Sequence, residues 1–239
     1  MLTDYFQFKK FGVHHGYSSM KVGTDAVLLG TLANVPAQGK ILEVGTGCGI
    51  ISLILAQRSN AEITTIDIHQ NSVWEARANF KASPWNERLK ALLISFQAFA
   101  DRENPIRFDK IVSNPPFFEN DLKSPNPDRN LARHNDTLSQ RDFLKASRNF
   151  ITEKGQIAII LPTVEAFSFR EEAIHFGFYL FRQIEIIPKA DKKANRMILE
   201  FGNEKPEEII SETLTIRNQD NSYSDSYRSL TEDYYISLK

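Results

Sequence analysis

The chain has a single cysteine, Cys48, among its 239 residues. That scarcity excludes a disulfide framework and any cysteine-based zinc site. Net charge is also nearly absent: 29 basic and 30 acidic side chains leave −1 at pH 7. A strongly basic nucleic-acid domain is thereby excluded, although a local basic stripe can still steer a polyanion while the total stays near zero. No stretch reaches the ~18 consecutive apolar residues that span a bilayer. Met1 to Lys10 lacks the apolar centre of a secretory signal. A reducing, cytoplasmic setting without membrane contact is the expectation. Repeats and low-complexity tracts are missing as well.

What is present is ordinary globular material, 41% hydrophobic and 25% charged. The length fits one domain over 1–239, with 1–34 as an extension before the first core strand and 204–239 as a C-terminal segment packed on the core. Lys40 to Val44 reads as a strand ending in glycines, and Ile50 to Arg58 as a helix. Glu62 to Asp67 is β-branched and reads as a second strand. Asn71 is a candidate cap for a helix that puts Val73, Ala76 and Phe80 on one face and stops at Ser83-Pro84. Leu89 to Phe96, Phe108 to Ser113 and Gln156 to Leu161 read as further strands. A helix is expected over 164–176, with Val164, Phe167 and Ile174 on its apolar face. Alternating strands and helices mean βαβ units, hence a doubly wound, mostly parallel α/β sheet of Rossmann type. Phe178 to Ile187 and Arg196 to Phe201 have no helix between them and read as an antiparallel hairpin. The polar stretch Phe118 to Asp142 reads as a loop beside a site, and a late helix is expected among Tyr223, Tyr227, Tyr234 and Tyr235.

Gly45, Gly47 and Gly49 alternate directly after the first core strand. A bulky ligand lies against a turn only where Cβ atoms are missing, and the helix that follows adds the positive end of its dipole. A dinucleotide fingerprint, G-x-G-x-x-G, needs glycine at position 50, which holds Ile50, so a nicotinamide-linked oxidoreductase is disfavoured. The G-x-G-x-G form, with Glu43 two residues ahead, resembles the first motif of Rossmann-like methyltransferases that use S-adenosylmethionine (AdoMet). Asp67 ends the second strand, 18 residues after Gly49, where an acidic side chain can accept hydrogen bonds from ribose hydroxyls. Cys48, inside the loop, has no histidine partner in sequence and is read as a small filler.

Asn114-Pro115-Pro116-Phe117 ends the fourth strand. Two prolines freeze the backbone and remove two N–H donors. The Asn114 amide oxygen and the Pro115 carbonyl remain as acceptors for the two hydrogens of an exocyclic amine. With the amine so held, its lone pair can face an electrophilic methyl, and positioning supplies most of the catalysis. Phe117 offers a flat face on which a base can stack.

These motifs, with Phe8-Lys9-Lys10-Phe11, Met20-Lys21-Val22-Gly23-Thr24-Asp25, Ser83-Pro84-Trp85, Ala132-Arg133 and the tyrosine-rich tail, give the chain its likeness. Over nearly its whole length it resembles the bacterial methyltransferases that modify N6 of the adenine just 3′ of the anticodon, position 37, in a valine tRNA. The resemblance implies AdoMet as cofactor and tRNA as partner, without a metal. Lys21, Thr24 and Asp25 would border the cofactor. Glu43, Gly45, Thr46, Gly47, Gly49 and Asp67 would hold it, with Ile68, Ser95 and Phe96 beside them. Asn114, Pro115, Pro116 and Phe117 would hold the base. Two departures stand out: Ser95 replaces the aspartate common after the third strand, and Phe117 replaces the common tyrosine.

Lys9, Lys10, Arg129, Arg133, Lys192 and Lys193 are candidates for RNA contact. Other acceptors stay open on the residues alone: another RNA base, DNA adenine or a protein glutamine, all of which suit Asn-Pro-Pro-aromatic. A non-catalytic nucleotide- or RNA-binding module is a further alternative, one that would have no need of Asn114.

Overall fold

The computed structural model describes residues 4–18, 21–102, 106–115 and 138–238. An eight-stranded sheet runs through the molecule in the order β10-β8-β9-β7-β6-β3-β4-β5. Its strands are β3 (Lys40–Val44), β4 (Glu62–Asp67), β5 (Leu89–Leu93), β6 (Phe108–Ser113), β7 (Ile151–Pro162), β8 (Tyr179–Lys189), β9 (Arg196–Gly202) and β10 (Ile210–Arg217). All pairs are parallel except those of β9, which runs against both β7 and β8. The β8–β9 pair is the expected antiparallel hairpin.

Both faces of the central strands are covered, which is why successive residues of β3 and β6 are buried on either side of the sheet. One face buries Ile41, Ile63, Val112, Ala158 and Ile198 under α1 (Thr24–Leu32), α2 (Ile50–Arg58) and α3 (Gln70–Ala82). The other buries Leu42, Ile66, Ile111, Ile159 and Leu199 under α4 (Phe96–Ala100), α5 (Gln140–Phe150) and α6 (Thr163–His175). A small hairpin of β1 (Tyr5–Gln7) and β2 (Gly12–His14) carries Phe8 and Phe11 into the first layer. There they meet Tyr234 and Tyr235, which follow α7 (Asp225–Thr231). Among the described residues, no helix is long and apolar enough to cross a membrane.

Several expectations need correction. The third strand stops at Leu93, because the Ser95 hydroxyl accepts the Ala98 N–H (3.1 Å) and starts α4 at Phe96. The third helix begins at Gln70 with His69 as its cap residue, ahead of Asn71, although Val73, Ala76 and Phe80 are buried as expected. In α6 the face is inverted: Val164, Phe167 and Ile174 are exposed, and Ala166, Phe169 and Ala173 are buried. Two alanines flanking one aromatic bring that helix close to the sheet, and packing depth overrides bulk as a guide to the inner face. The helix α1, the β1–β2 hairpin and β10 were not expected. Strand β10 is an edge strand whose first four residues are exposed, so it lacks the alternation that marks a half-buried strand. The stretch 118–142 lies outside the described residues as far as 137, and α5 begins at Gln140.

A buried ion network ties the sheet together below the loops. Glu200 on β9 is fully buried and accepts from Lys110 Nζ (2.6 Å), Arg182 Nη1 (2.9 Å), Asn34 N (2.9 Å) and Asn34 Nδ2 (2.9 Å). Strands β6, β8 and β9 and the chain leaving α1 meet at this one carboxylate. Glu200→Gln leaves a buried lysine facing a neutral amide and is expected to cost about 3–5 kcal/mol. Urea unfolding measures this, and an unchanged midpoint would contradict it.

Candidate active site

The strand order reverses between β3 and β6: from β3 the chain proceeds to β4 and β5 on one side, and from β6 to β7 on the other. Loops leaving such a switch point diverge and open a crevice at the carboxyl ends of the strands. Here the two strands end level, Val44 paired with Ser113 and Glu43 with Val112. The Ser113 hydroxyl donates to the Val44 carbonyl at 2.8 Å, fixing the two ends to each other. The next residues, Gly45 and Asn114, therefore start about 5 Å apart, one inter-strand spacing. Both line one cleft of about 280 Å³, with Lys21, Gly23, Thr24, Asp25, Ala26, Thr46, Gly47, Cys48, Ile50 and Ile51. That volume is near the lower bound of small-molecule pockets.

The glycine loop has the conformation its sequence implies. Gly45, Gly47 and Gly49 all have positive φ, at 85°, 50° and 84°. A Cβ on Gly49 would stand 2.5 Å from the Phe80 ring, so this residue is fixed by packing against α3. A Cβ on Gly45 would meet nothing within 4 Å among the described residues; its space belongs to the cleft. Strand β4 holds the loop in place. Its Ile66 carbonyl accepts from Gly45 N (2.9 Å) and Thr46 N (3.1 Å), and Asp67 Oδ2 accepts from Gly47 N (3.0 Å). Asp67 Oδ1 accepts from His69 N (2.9 Å). A carboxylate has about four acceptor sites, so Asp67 braces the loop and keeps capacity for a ligand.

A wall from the N-terminal segment closes the cleft, and α3 sets its course. The chain climbs α3 from its end to its beginning: Phe11 packs on Trp85 just after the helix, His14 is bonded to Asn79, and Tyr17 and Ser18 are bonded to Glu75. Asn79, buried, donates to the His14 carbonyl (2.8 Å) and the Cys48 carbonyl (2.8 Å) and accepts from His14 N (2.9 Å). One amide thus joins the N-terminal segment to the glycine loop. Buried Glu75 accepts from Tyr17 N (3.1 Å) and Ser18 N (2.9 Å). The segment then delivers Lys21, Thr24 and Asp25 to the cleft, where Asp25 pairs with Arg196 at 2.9 Å.

The candidate residues take different places. Lys21, Thr24, Asp25, Gly45, Thr46, Gly47 and Asn114 line the cleft. Pro115 follows Asn114 and is buried, while Pro116, Phe117, Arg129 and Arg133 lie outside the described residues. Asp67 ends β4 and Ile68, 44% exposed, follows it at the same end of the sheet. Gly49 caps α2 behind the loop. Three further candidates are not among the residues that line the cleft. The Phe96 ring is buried among Phe143 and Phe150 on the other face of the sheet. Ser95 uses its hydroxyl as a helix cap. Glu43 does not line the cleft; it is fully buried and accepts the Ser52 hydroxyl, linking β3 to α2 beneath the loop. Lys9 and Lys10 sit on the β1–β2 turn, at the Trp85 end of α3 and away from the cleft. The roles of Asn79, Glu75 and Ser113 went unread in the sequence. The one local signal for Glu75 and Asn79 is the polar row Ser72, Glu75, Asn79, which runs beside the apolar row of α3 at helical spacing.

The cleft accommodates AdoMet on two observations: the open space at Gly45, and the Thr46 hydroxyl, which is buried on the cleft wall with no hydrogen-bond partner among the described residues. The first-turn N–H groups of α2 follow directly behind an N-cap that has no side chain to satisfy them. Cys48 is buried and its thiol is pushed up to about 12, mainly by burial, which removes it as a nucleophile.

Solved methyltransferases share this fold. A predicted O-methyltransferase from Agrobacterium tumefaciens superposes with a TM-score of 0.64 at 18% identity, covering 88% of this chain and 96% of that one. A methyltransferase from Pyrococcus furiosus gives 0.56 at 17% identity, covering 80% and 89%. Fold and cleft together define the class I methyltransferase architecture. The chain belongs to the Methyltransferase small domain family, which it matches over residues 10–165. It is similar along its full length to curated relatives named tRNA1(Val) (adenine(37)-N6)-methyltransferase. That from Parabacteroides distasonis is 39% identical over 238 residues, and that from Bacteroides thetaiotaomicron 38% over 241, each covering 100% of both chains.

Burial is the main cause that pushes the Glu43 carboxyl up to about 8, against the hydrogen bond from Ser52. The folded state therefore holds a proton there that the unfolded chain releases at its ordinary value of 4.5. This contribution to stability is complete below that value and is lost as pH rises through about 8. Glu43→Gln is expected to flatten the fall in unfolding free energy over that window. Denaturant titrations at several pH values read the slope, and identical slopes for both proteins would contradict the assignment.

Proposed function

We propose that this chain transfers the methyl group of AdoMet to the exocyclic N6 of adenine 37 in a valine tRNA, in the cytoplasm. One observation carries the reading: the glycine loop and Asn114 face one cleft at the switch point of the sheet. The full-length relatives named for that reaction support the choice of acceptor.

AdoMet, when bound, supplies a methyl group on a positively charged sulfur with a good leaving group. The protein's task is then orientation. The glycine-loop backbone and Thr46 hold the cofactor against the first turn of α2. Asp67, already aligned by Gly47 N and His69 N, accepts from ribose hydroxyls. Ile68 lends an apolar face to the adenosine. Lys21, Thr24 and Asp25 close the opposite wall.

Asn114 Oδ1 and the Pro115 carbonyl accept the two N6 hydrogens of the target adenine. Held in this way, the amine turns its lone pair out of conjugation with the ring. No general base is needed before transfer, and the extra proton on nitrogen leaves afterwards to solvent. Phe117 stacks on the base, which must leave its own stack to enter.

The test is incubation with methyl-labelled AdoMet and unmodified tRNA, followed by nuclease digestion. N6-methyladenosine is expected. Label only in DNA, or only in a protein glutamine, would overturn the acceptor assignment. Asn114→Ala is expected to keep cofactor affinity and lose about 100-fold or more in kcat, the usual effect of removing one polar group that acts in the transition state. Unchanged turnover would remove that amide from the chemistry.

A further inference from the structure

The outer face of α6 carries large apolar side chains. Val164 is 74% exposed and Phe167 53%, one helical turn apart at the start of the helix. Neither ring nor branch helps hold the core, which α6 reaches through Ala166, Phe169 and Ala173.

Their position is close to the site. Strand β7 leads into α6 and pairs directly with β6, Ser113 beside Ile159. Asn114 is therefore level with Ile160, and Thr163 lies three residues further on. At ~3.3 Å per residue and one strand spacing sideways, α6 begins about 11 Å from Asn114.

The turn between β8 and β9 is fastened to the same point. Thr163 Oγ1 donates to the Ala194 carbonyl (3.1 Å), and Thr163 N to the Asn195 carbonyl (3.3 Å). Arg196 at the other side of the turn reaches the cleft wall through Asp25. Lys189 at the end of β8 and Lys192 and Lys193 on the turn stand against a single acidic residue, Asp191, which lies 3.9 Å from Lys192 Nζ, and Lys192 and Lys193 are exposed. An exposed aromatic and an aliphatic side chain thus adjoin a basic ridge, beside the cleft that faces the target base.

We propose that this surface, Val164 and Phe167 on α6 with Lys192 and Lys193 on the β8–β9 turn, is where the single-stranded RNA flanking the target base rests. The proposal rests on the tRNA reading above. Phe167 stacks on a neighbouring base of the loop, and the two lysines neutralise adjacent phosphates. Stacking on a ring is sequence-tolerant because every base has a π-face, and lysine contacts to phosphate are likewise blind to sequence. With Lys189, Lys192 and Lys193 against Asp191, the ridge is net positive, which favours a polyanion over an apolar protein partner.

The test is steady-state methylation of an unmodified tRNA transcript at several salt concentrations, with calorimetric AdoMet binding in parallel. Phe167→Leu is expected to raise KM for tRNA roughly 5-fold or more, the low end of a lost base–aromatic stack. Its kcat and AdoMet affinity stay as in the wild type. Phe167→Trp, which keeps a π-face, is expected to restore the wild-type KM. Replacing Lys192 and Lys193 together by glutamine should lower the salt slope of kcat/KM by about 1.4, two single-strand phosphate contacts.

An active wild type whose Phe167→Leu, Phe167→Trp and lysine variants all keep its KM and salt slope would overturn this surface alone. An unchanged KM with a lowered melting temperature would overturn it by assigning Phe167 to the chain's own fold. An unchanged KM with altered sedimentation would overturn it by assigning the face to contact between copies. A wild-type chain that leaves tRNA unmethylated would overturn the substrate reading, and this surface with it.

Discussion

Two parallel strands end at the same level, and everything functional in this molecule starts from that coincidence. The pairing of Val44 with Ser113, locked by the Ser113 hydroxyl on the Val44 carbonyl, leaves Gly45 and Asn114 as neighbours. Because the chain crosses over in opposite directions from β3 and β6, the space above that pair cannot be filled by the loops themselves. One strand end contributes a backbone stripped of side chains and the other a rigid set of acceptors. A shift of register by one residue would turn Asn114 to the opposite face and separate donor from acceptor.

The remaining polar contacts keep the walls of that space from drifting. Strand β4 holds the glycine loop through the Ile66 carbonyl and the Asp67 carboxylate. Helix α3 holds both the loop and the N-terminal segment through Asn79, and the segment again through Glu75. Asp25 and Arg196 connect that wall to the β8–β9 turn. These groups are mostly buried or half-buried and paired with backbone atoms, so they orient the site at little desolvation cost. Precision of about an ångström at the reacting atoms is what a reaction catalysed by positioning requires.

Much of this was legible in the sequence where the backbone itself is constrained. The glycines at 45, 47 and 49 are needed for positive φ, and prolines can follow Asn114 only where a strand stops, so both motifs announced their places. Strands and helices with steady apolar content, 40–44, 50–58, 62–67 and 108–113, appeared with the expected bounds. Legibility failed where tertiary contact decides. Asn79 reaches His14 across 65 positions, a contact that no local pattern encodes. The inner face of α6 was set by two small residues and Phe169, against the pull of three bulkier apolar side chains. Phe96 looked like the end of a strand beside a site and proved to be core, because the Ser95 cap turned the chain into a helix one residue earlier. Strand β10 at the sheet edge carried too many exposed polar residues to be seen.

The claim that donor and acceptor meet in one cleft is tested most directly with a bisubstrate ligand. In it, adenosine N6 is joined by a short carbon tether to the position of the cofactor's sulfur. Calorimetry on the intact chain is expected to show this compound binding about a hundredfold or more tighter than AdoMet alone, with Asn114→Ala removing most of the gain. Binding no tighter than the cofactor half by itself would place the two motifs in separate sites and contradict the account.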